Sequence, residues 1–228
     1  MTDFLFRGLK QRCRRNTRTT RDLLQCDSGI ALTEFAVAFP LLLLLATSGL
    51  ELINYALTVK RVGELSVMVS DNASRMGAQS AINNKPVSEA EINDVFIGAD
   101  LQAENLNLGQ NGKIVLSSLQ RNADGGQTIK WQRCFGGDAY HSAYGPEGTG
   151  ATGTGFAGMG PTGQEITAAA GTAVMVVEVH YTYKRLMPLI SLPLRDITEL
   201  SAFNVRDSRD ITQLYNTENV TPSTCTST

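Results

Sequence analysis

The chain has 228 residues, enough for one membrane segment and one modest soluble domain. Its net charge of −2 conceals a division: seven basic and three acidic residues before Gly29 make that leader +4 and leave the rest of the chain −6. His141, His180 and the four cysteines show no close zinc-ligand spacing, and there is no serine elbow, HExxH pair, phosphate loop or triad-like arrangement. Composition and motifs therefore argue against a metal centre, a bound cofactor and the common hydrolytic chemistries.

The leader carries Arg7, Lys10, Arg12, Arg14, Arg15, Arg18 and Arg21. A basic arm can bind nucleic acid, but an apolar run follows at once, and basic residues on one flank of a first apolar segment hold that flank in the cytoplasm. No nucleic-acid partner is expected on this reading. A solvated basic tail on a soluble protein is the bland alternative, and Lys60 and Arg61 on the far flank oppose the bias in part. Cys13 and Cys26 then fall in a reducing compartment, while Cys134 and Cys225 fall in the periplasm, where disulfides persist.

Residues 30–50 (IALTEFAVAFPLLLLLATSGL) contain one charge, Glu34. A bilayer core needs about 20 apolar residues in a helix, and a buried core helix would show a polar face that Leu41 to Leu45 lack. The rival is a secretory signal peptide ending near Ala46-Thr47-Ser48. Against it, an apolar stripe continues through Leu52, Tyr55, Val59, Val62, Ser66, Val69, Ala73 and Met76 at alternating spacings of three and four. One helix is expected from about residue 30 to 75, interrupted in its bonding at Pro40.

Glu34 carries the sharper reading. An ionised carboxylate near an apolar core costs about 2.5–3.5 kcal/mol, less near its edge, where it can snorkel. Gly29-Ile30-Ala31-Leu32-Thr33-Glu34-Phe35 after a basic leader resembles a type IV prepilin processing site. The resemblance implies that a membrane aspartyl peptidase cuts between Gly29 and Ile30, leaving Glu34 as the fifth mature residue and Phe35 after it. Together with the leucine run around Pro40, Glu51, the long helix and Trp131-Gln132-Arg133, the chain resembles the TadE/TadF-like pseudopilins of tight-adherence (Tad) pilus systems. The likeness is clear from Gly29 to about Met76, looser to about Cys134, and only general beyond. It implies as partners a prepilin peptidase, other pilin-like subunits, the Tad assembly platform and the inner membrane.

Beyond the helix, Ser88-Glu89-Ala90-Glu91 reads as a capping box opening a short helix from about Glu89 to Ala103. Asn111-Gly112 marks a turn, residues 113–121 a half-buried strand, and Asp124-Gly125-Gly126 the turn to a hairpin partner at 127–134. Ile129, Trp131 and Arg133 are expected on one face of that partner, with Trp131 as core. Residues 136–163 hold ten glycines and few large apolar side chains, so a long flexible loop is expected. Its two overlapping GxGxxG matches lack a βαβ context and are read as coincidence.

Residues 172–183 form the most strand-like segment, with Glu178 and His180 on its polar side; they could pair as a base, but nothing supplies a nucleophile. Pro188 and Pro193 mark a crossing segment, and residues 197–206 a fourth strand. A disulfide is expected between Cys134 and Cys225, the only two cysteines past the membrane segment, tying down a polar tail that would otherwise be loose.

The expected fold is α+β: a basic cytoplasmic leader (1–29), a transmembrane helix (30–50), a periplasmic amphipathic extension (51–82) and a small antiparallel-sheet domain (83–228) with its Gly-rich loop at 136–163. The expected function is a structural one, a minor pilin-like subunit in pilus assembly, initiation or tip formation for adherence. The alternative is a membrane-tethered binding module outside any pilus. An envelope-anchored enzyme is the third reading and has no motif behind it.

Overall fold

The computed structural model describes residues 27–77, 85–187, 192–206 and 209–225. The basic leader to residue 26, with Cys13 and Cys26, lies outside the described residues, as do Pro188 and the end of the extension expected to reach residue 82. Helix α1 spans Asp27–Arg75. It is followed by β1 (Lys85–Ser88), α2 (Glu89–Ala103), a 3-10 turn (Glu104–Leu106), the short α3 (Leu108–Asn111), and strands β2 (Gly112–Arg121), β3 (Gln127–Phe135), β4 (Ala173–Tyr181), β5 (Ile197–Asn204) and β6 (Arg209–Tyr215). The chain divides into two compact units, Met1–Gly49 and Leu50–Thr228. It is thus α+β, with one long apolar N-terminal helix and a small antiparallel-sheet domain.

The second unit is organised around one four-stranded antiparallel sheet, ordered β3-β2-β4-β5. Ile114, Leu116, Met175, Val177 and Val179 point to one face, where Val62, Leu65, Val69 and Ala73 of α1 and Ile92, Phe96 and Ala99 of α2 cover them. The buried side of α1 is not the full apolar stripe expected. Leu52, its first member, is exposed; Val62, Ser66, Val69, Ala73 and Met76 are buried as expected, but so are Glu51, Thr58, Ser70 and Ser74 outside the stripe. Serines let helix and sheet approach closely: the Ser70 hydroxyl lies 2.8 Å from that of Ser201 on β5, and Ser201 donates to the Ser66 carbonyl at 2.5 Å. Helix α1 ends because Gly77 takes φ +126°, a conformation favouring glycine, and its N–H is accepted by Glu91.

The capping box is formed as expected. Glu91 N–H donates to Ser88 Oγ, Ser88 N–H donates to Glu91 Oε2, and α2 starts at Glu89. Glu89, in the first helical turn, then meets Arg133 on β3 at 2.5 Å, and Glu147 takes the other side of the guanidinium at 3.0 Å. Burial works to lower the Arg133 pKa, but the hydrogen bonds and charges of Glu89 and Glu147 outweigh it and hold the pKa above its ordinary value.

Three expectations about the sheet are corrected. The β2–β3 register shifts at Ser118/Leu119, where Ser118 pairs Trp131 and Leu119 pairs Ile129. Lys130 is the extra residue of the bulge, so Ile129 and Trp131 face opposite sides. A second small sheet, β1 with β6 in parallel, was not foreseen; four residues of β1 around Pro86 give no alternation to read.

The third correction concerns residues 136–163, which do not form a flexible loop. With Ile166 and Ala168 just beyond, this segment supplies Tyr144, Phe156 and Met159 to a second cluster on the opposite sheet face, over Leu119, Ile129, Val174 and Val176. It also closes the outer edge of β3. Ile129 N–H donates to Thr149 O (2.9 Å), Gly148 N–H to Ile129 O (2.9 Å), and Gln132 N–H to Glu147 (3.0 Å). The next outward donor, Cys134 N–H, goes to Ser223 O in the tail at 2.8 Å. An open strand edge exposes unpaired backbone groups, and here the glycine segment and the tail satisfy them. The tail is held as well by a Cys134–Cys225 disulfide, Cα–Cα 4.8 Å, and by Asn93, which donates to Thr221 O and accepts from Ser223.

Two substitutions test this packing in the full chain in detergent. Gly150 has φ +71°, and a Cβ there would lie 2.3 Å from the Gln127 carbonyl oxygen. Gly150→Ala is expected to destabilise by more than about 2 kcal/mol in thermal unfolding and to open 136–163 to proteolysis, whereas a free loop would tolerate alanine. Glu89→Ala is expected to cost about 2–4 kcal/mol, somewhat below the usual cost of breaking a buried pair because Glu147 still faces Arg133.

Candidate functional site

Among the described residues, exposed large apolar side chains concentrate on the first part of α1. Leu32, Phe35, Val37, Phe39, Leu41 to Leu45 and Leu50 are all exposed, Leu45 to 71%. The helix is long and apolar enough to cross a membrane: over an 18-residue window its mean hydropathy is 2.0, with only 6% of that window buried. Fully covering one such side chain is worth about 1.5–3 kcal/mol, so a row of ten favours a cover of lipid or of other apolar surface. Inside a bilayer, polar groups must be satisfied within the helix itself. Thr47 meets that condition, donating within the helix to the Leu43 carbonyl at 2.6 Å.

The residues of the processing motif all lie on this helix. Gly29 and Ile30 fall in its first turn, which begins at Asp27. Glu34 is exposed on the same helix, and Phe35 stacks on Phe39 with ring centroids 5.2 Å apart. Helical backbone from Asp27 onward places Glu34 one turn beyond Ile30, the i,i+4 spacing at which residues share a helix face.

A second carboxylate sits where the apolar run ends. Glu51 is fully buried and accepts three hydrogen bonds from the segment after β4: Tyr183 Oη–H at 3.0 Å, Leu186 N–H at 3.3 Å and Met187 N–H at 3.0 Å. One turn along the helix, Asn54 donates to Tyr183 Oη at 2.7 Å, and Tyr55 meets the Tyr183 ring edge-to-face at 5.0 Å. Glu51, Asn54 and Tyr55 thus form one helical face that grips Tyr183 to Met187. Burial raises the Tyr183 phenol above its ordinary pKa; the Asn54 hydrogen bond works against this, but the Glu51 hydrogen bond and charge add to the rise, so the phenol stays a donor. Sequence reading noticed Glu51 but gave it no partner, although a charge between Leu50 and Leu52 was itself a signal.

Glu178 and His180 are placed differently from expectation. Their side of β4 is covered by the glycine-rich segment. Glu178, 2% exposed, accepts from Tyr140 Oη–H at 3.0 Å, from Ala143 N–H at 3.0 Å and from the Ser142 hydroxyl. Burial and then the Glu178 charge push the Tyr140 hydroxyl well above its ordinary range, keeping it a donor. His180 stacks flat on Tyr140 at 4.5 Å, with Nδ1 3.3 Å from Asp138. The carboxylate is occupied in holding residues 140–143 rather than aimed into a cleft. Among the described residues, no group of three His, Cys, Asp or Glu side chains is arranged to hold a metal ion.

Glu51→Ala is expected to strand the Leu186 and Met187 amides, at about 1–3 kcal/mol, and to loosen the segment they belong to. Lys184 and Arg185 are exposed, so tryptic cleavage there in the detergent-solubilised chain should quicken, while Glu51→Gln, which can still accept, should be less affected. Compared with protein-family models, curated proteins and solved structures, the chain shows no match.

Proposed function

We propose that the chain is a minor pilin-like (pseudopilin) subunit of a Tad-type pilus or secretion apparatus, acting in pilus assembly, initiation or tip formation. The single observation that carries the reading is the combination found on α1. It starts beside Gly29, bears Glu34 one turn past Ile30, leaves Leu32 to Leu50 uncovered, and buries only its later residues in the sheet domain. A helix whose first part is apolar and uncovered, and whose later residues pack into a folded domain, suits a subunit stored in a bilayer and later drawn into a bundle of like helices. The lipid-facing side chains then exchange lipid for neighbouring helices at little cost.

On this reading the leader stays in the cytoplasm and the sheet domain stands in the periplasm, with the inner membrane as the resting place. The Cys134–Cys225 disulfide agrees with an oxidising compartment. A prepilin peptidase cuts between Gly29 and Ile30. The new amine at Ile30 then pairs with Glu34 of its own or a neighbouring chain, an attraction strengthened by low dielectric and offset by desolvation. Partners are the other pilin-like subunits and the Tad assembly platform.

N-terminal sequencing of the membrane-extracted protein from its native host tests the reading. The expected mature N-terminus is Ile30, and Gly29→Val should leave a larger, unprocessed form. Glu34→Ala should insert at least as well, having lost a membrane charge, yet fail to support piliation. A native protein that begins at Met1 or near Thr47, or normal piliation by Glu34→Ala, would defeat the proposal.

A further inference from the structure

The segment that Glu51 grips faces outward with a composition of its own. Lys184, Arg185, Leu186 and Met187 are all exposed, Leu186 to 59%. Two backbone amides and the Tyr183 phenol are fixed to the helix turn at residues 51–55, while those four side chains stay exposed. That turn follows Leu50 directly, and its remaining faces carry exposed Leu52, Ile53 and Leu57. The next charged side chains on α1 are the exposed Lys60 and Arg61, about 15 Å along the helix from Leu50 at 1.5 Å per residue. If Leu32 to Leu50 occupy hydrocarbon, the Glu51 turn lies between the acyl chains and the level of Lys60 and Arg61. Basic side chains flanking an apolar run mark the headgroup zone.

We propose that Lys184, Arg185, Leu186 and Met187 form a membrane-interface contact for anionic phospholipid. Leu186 and Met187 enter the acyl boundary while Lys184 and Arg185 meet the headgroup phosphates. The inference rests on the reading of α1 as a membrane span. The occupant follows from charge and from continuity. Two adjacent cations beside two uncovered apolar side chains are the pairing that interfacial segments present to anionic lipid, and the patch is tied through Glu51 to the turn that carries exposed Leu52 and Ile53. Arg185 donates one N–H to the Leu192 carbonyl at 2.9 Å, which positions its guanidinium and leaves further donors for phosphate. The nearby carboxylate, Asp196, accepts from Tyr183 N–H. Glu51 belongs to the same device. Its charge would be costly at this depth, and the amides of Leu186 and Met187 satisfy it while drawing their side chains to the membrane surface.

The test uses the full chain in vesicles of phosphatidylcholine, with or without phosphatidylglycerol, carrying acyl-brominated lipid as a quencher. Trp131 is the single native tryptophan and is 5% exposed in the sheet domain, so it supplies the baseline. Leu42→Trp reports on the span and Leu186→Trp on the proposed contact. Both are expected to lose emission to bromine, Leu186→Trp more strongly in the anionic vesicles. Lys184→Glu with Arg185→Glu should reduce quenching at position 186 and leave position 42 unchanged, since each basic residue near an anionic surface is worth about fivefold in partitioning. Quenching at 42 without quenching at 186 would overturn this contact and spare the span, whether residue 186 meets water or a second copy. Equal quenching at 186 in both vesicle types, unmoved by charge reversal, would overturn the anionic-lipid assignment. No quenching at 42 would overturn the span and the contact together.

Discussion

The sheet of the second unit carries apolar side chains on both faces, and both must therefore be covered. Eight of the nine residues of β4 are buried, His180 being the one partial exception. One face is covered by helices, as the repeating pattern of α1 and α2 provides. Among the described residues no helix covers the other, and the glycine-rich segment is spread across it. That requirement explains the composition of residues 136–163. Positive φ at Gly136, Gly145, Gly148, Gly150 and Gly158 lets the backbone fold tightly enough to place a few large side chains on the sheet while running hydrogen bonds along β3. Glycine content here serves a crowded path, and the ordering entropy is offset by an apolar surface that already exists beneath it.

The buried carboxylates work as ties between segments distant in sequence. Glu89 joins the start of α2 to β3 and, through Arg133, to the glycine-rich segment. Glu178 gathers residues 140–143 onto β4. Glu51 fixes the chain after β4 to α1. Each accepts from groups that would be expensive to bury alone, and Glu178 and Glu51 each hold a segment without regular secondary structure against a regular element. A carboxylate whose acceptor sites are taken up in this way holds structure rather than doing chemistry. The disulfide adds a covalent tie of the same kind, joining the tail to the β3 edge that Ser223 already pairs.

These ties keep the fold of the sheet domain separate from the demands on α1. The early part of the helix contributes little to the buried clusters, which begin at Tyr55 and Val62, so its apolar surface remains available to lipid or to other helices. The proposed function needs that separation: a subunit that leaves a bilayer must exchange the surroundings of its helix without disturbing its folded domain.

Much of this was legible in the sequence because it is local. The long apolar helix, the capping box at Ser88, the hairpin of β2 and β3 and the strands at β4 and β5 are set by periodicity, caps and turns within a few residues. The pairing of Cys134 with Cys225 could be expected only by counting cysteines. What tertiary structure alone decided depends on distant partners. The bulge at Lys130 turned Ile129 to the opposite face, and β1 found β6 across more than a hundred residues of chain. The glycine-rich segment became ordered because a bare sheet face and an open β3 edge awaited it, surfaces that no inspection of its own composition reveals. Glu51 was visible as a charge in apolar surroundings, but the amides that satisfy it lie some 135 residues away, and only folding brings them together.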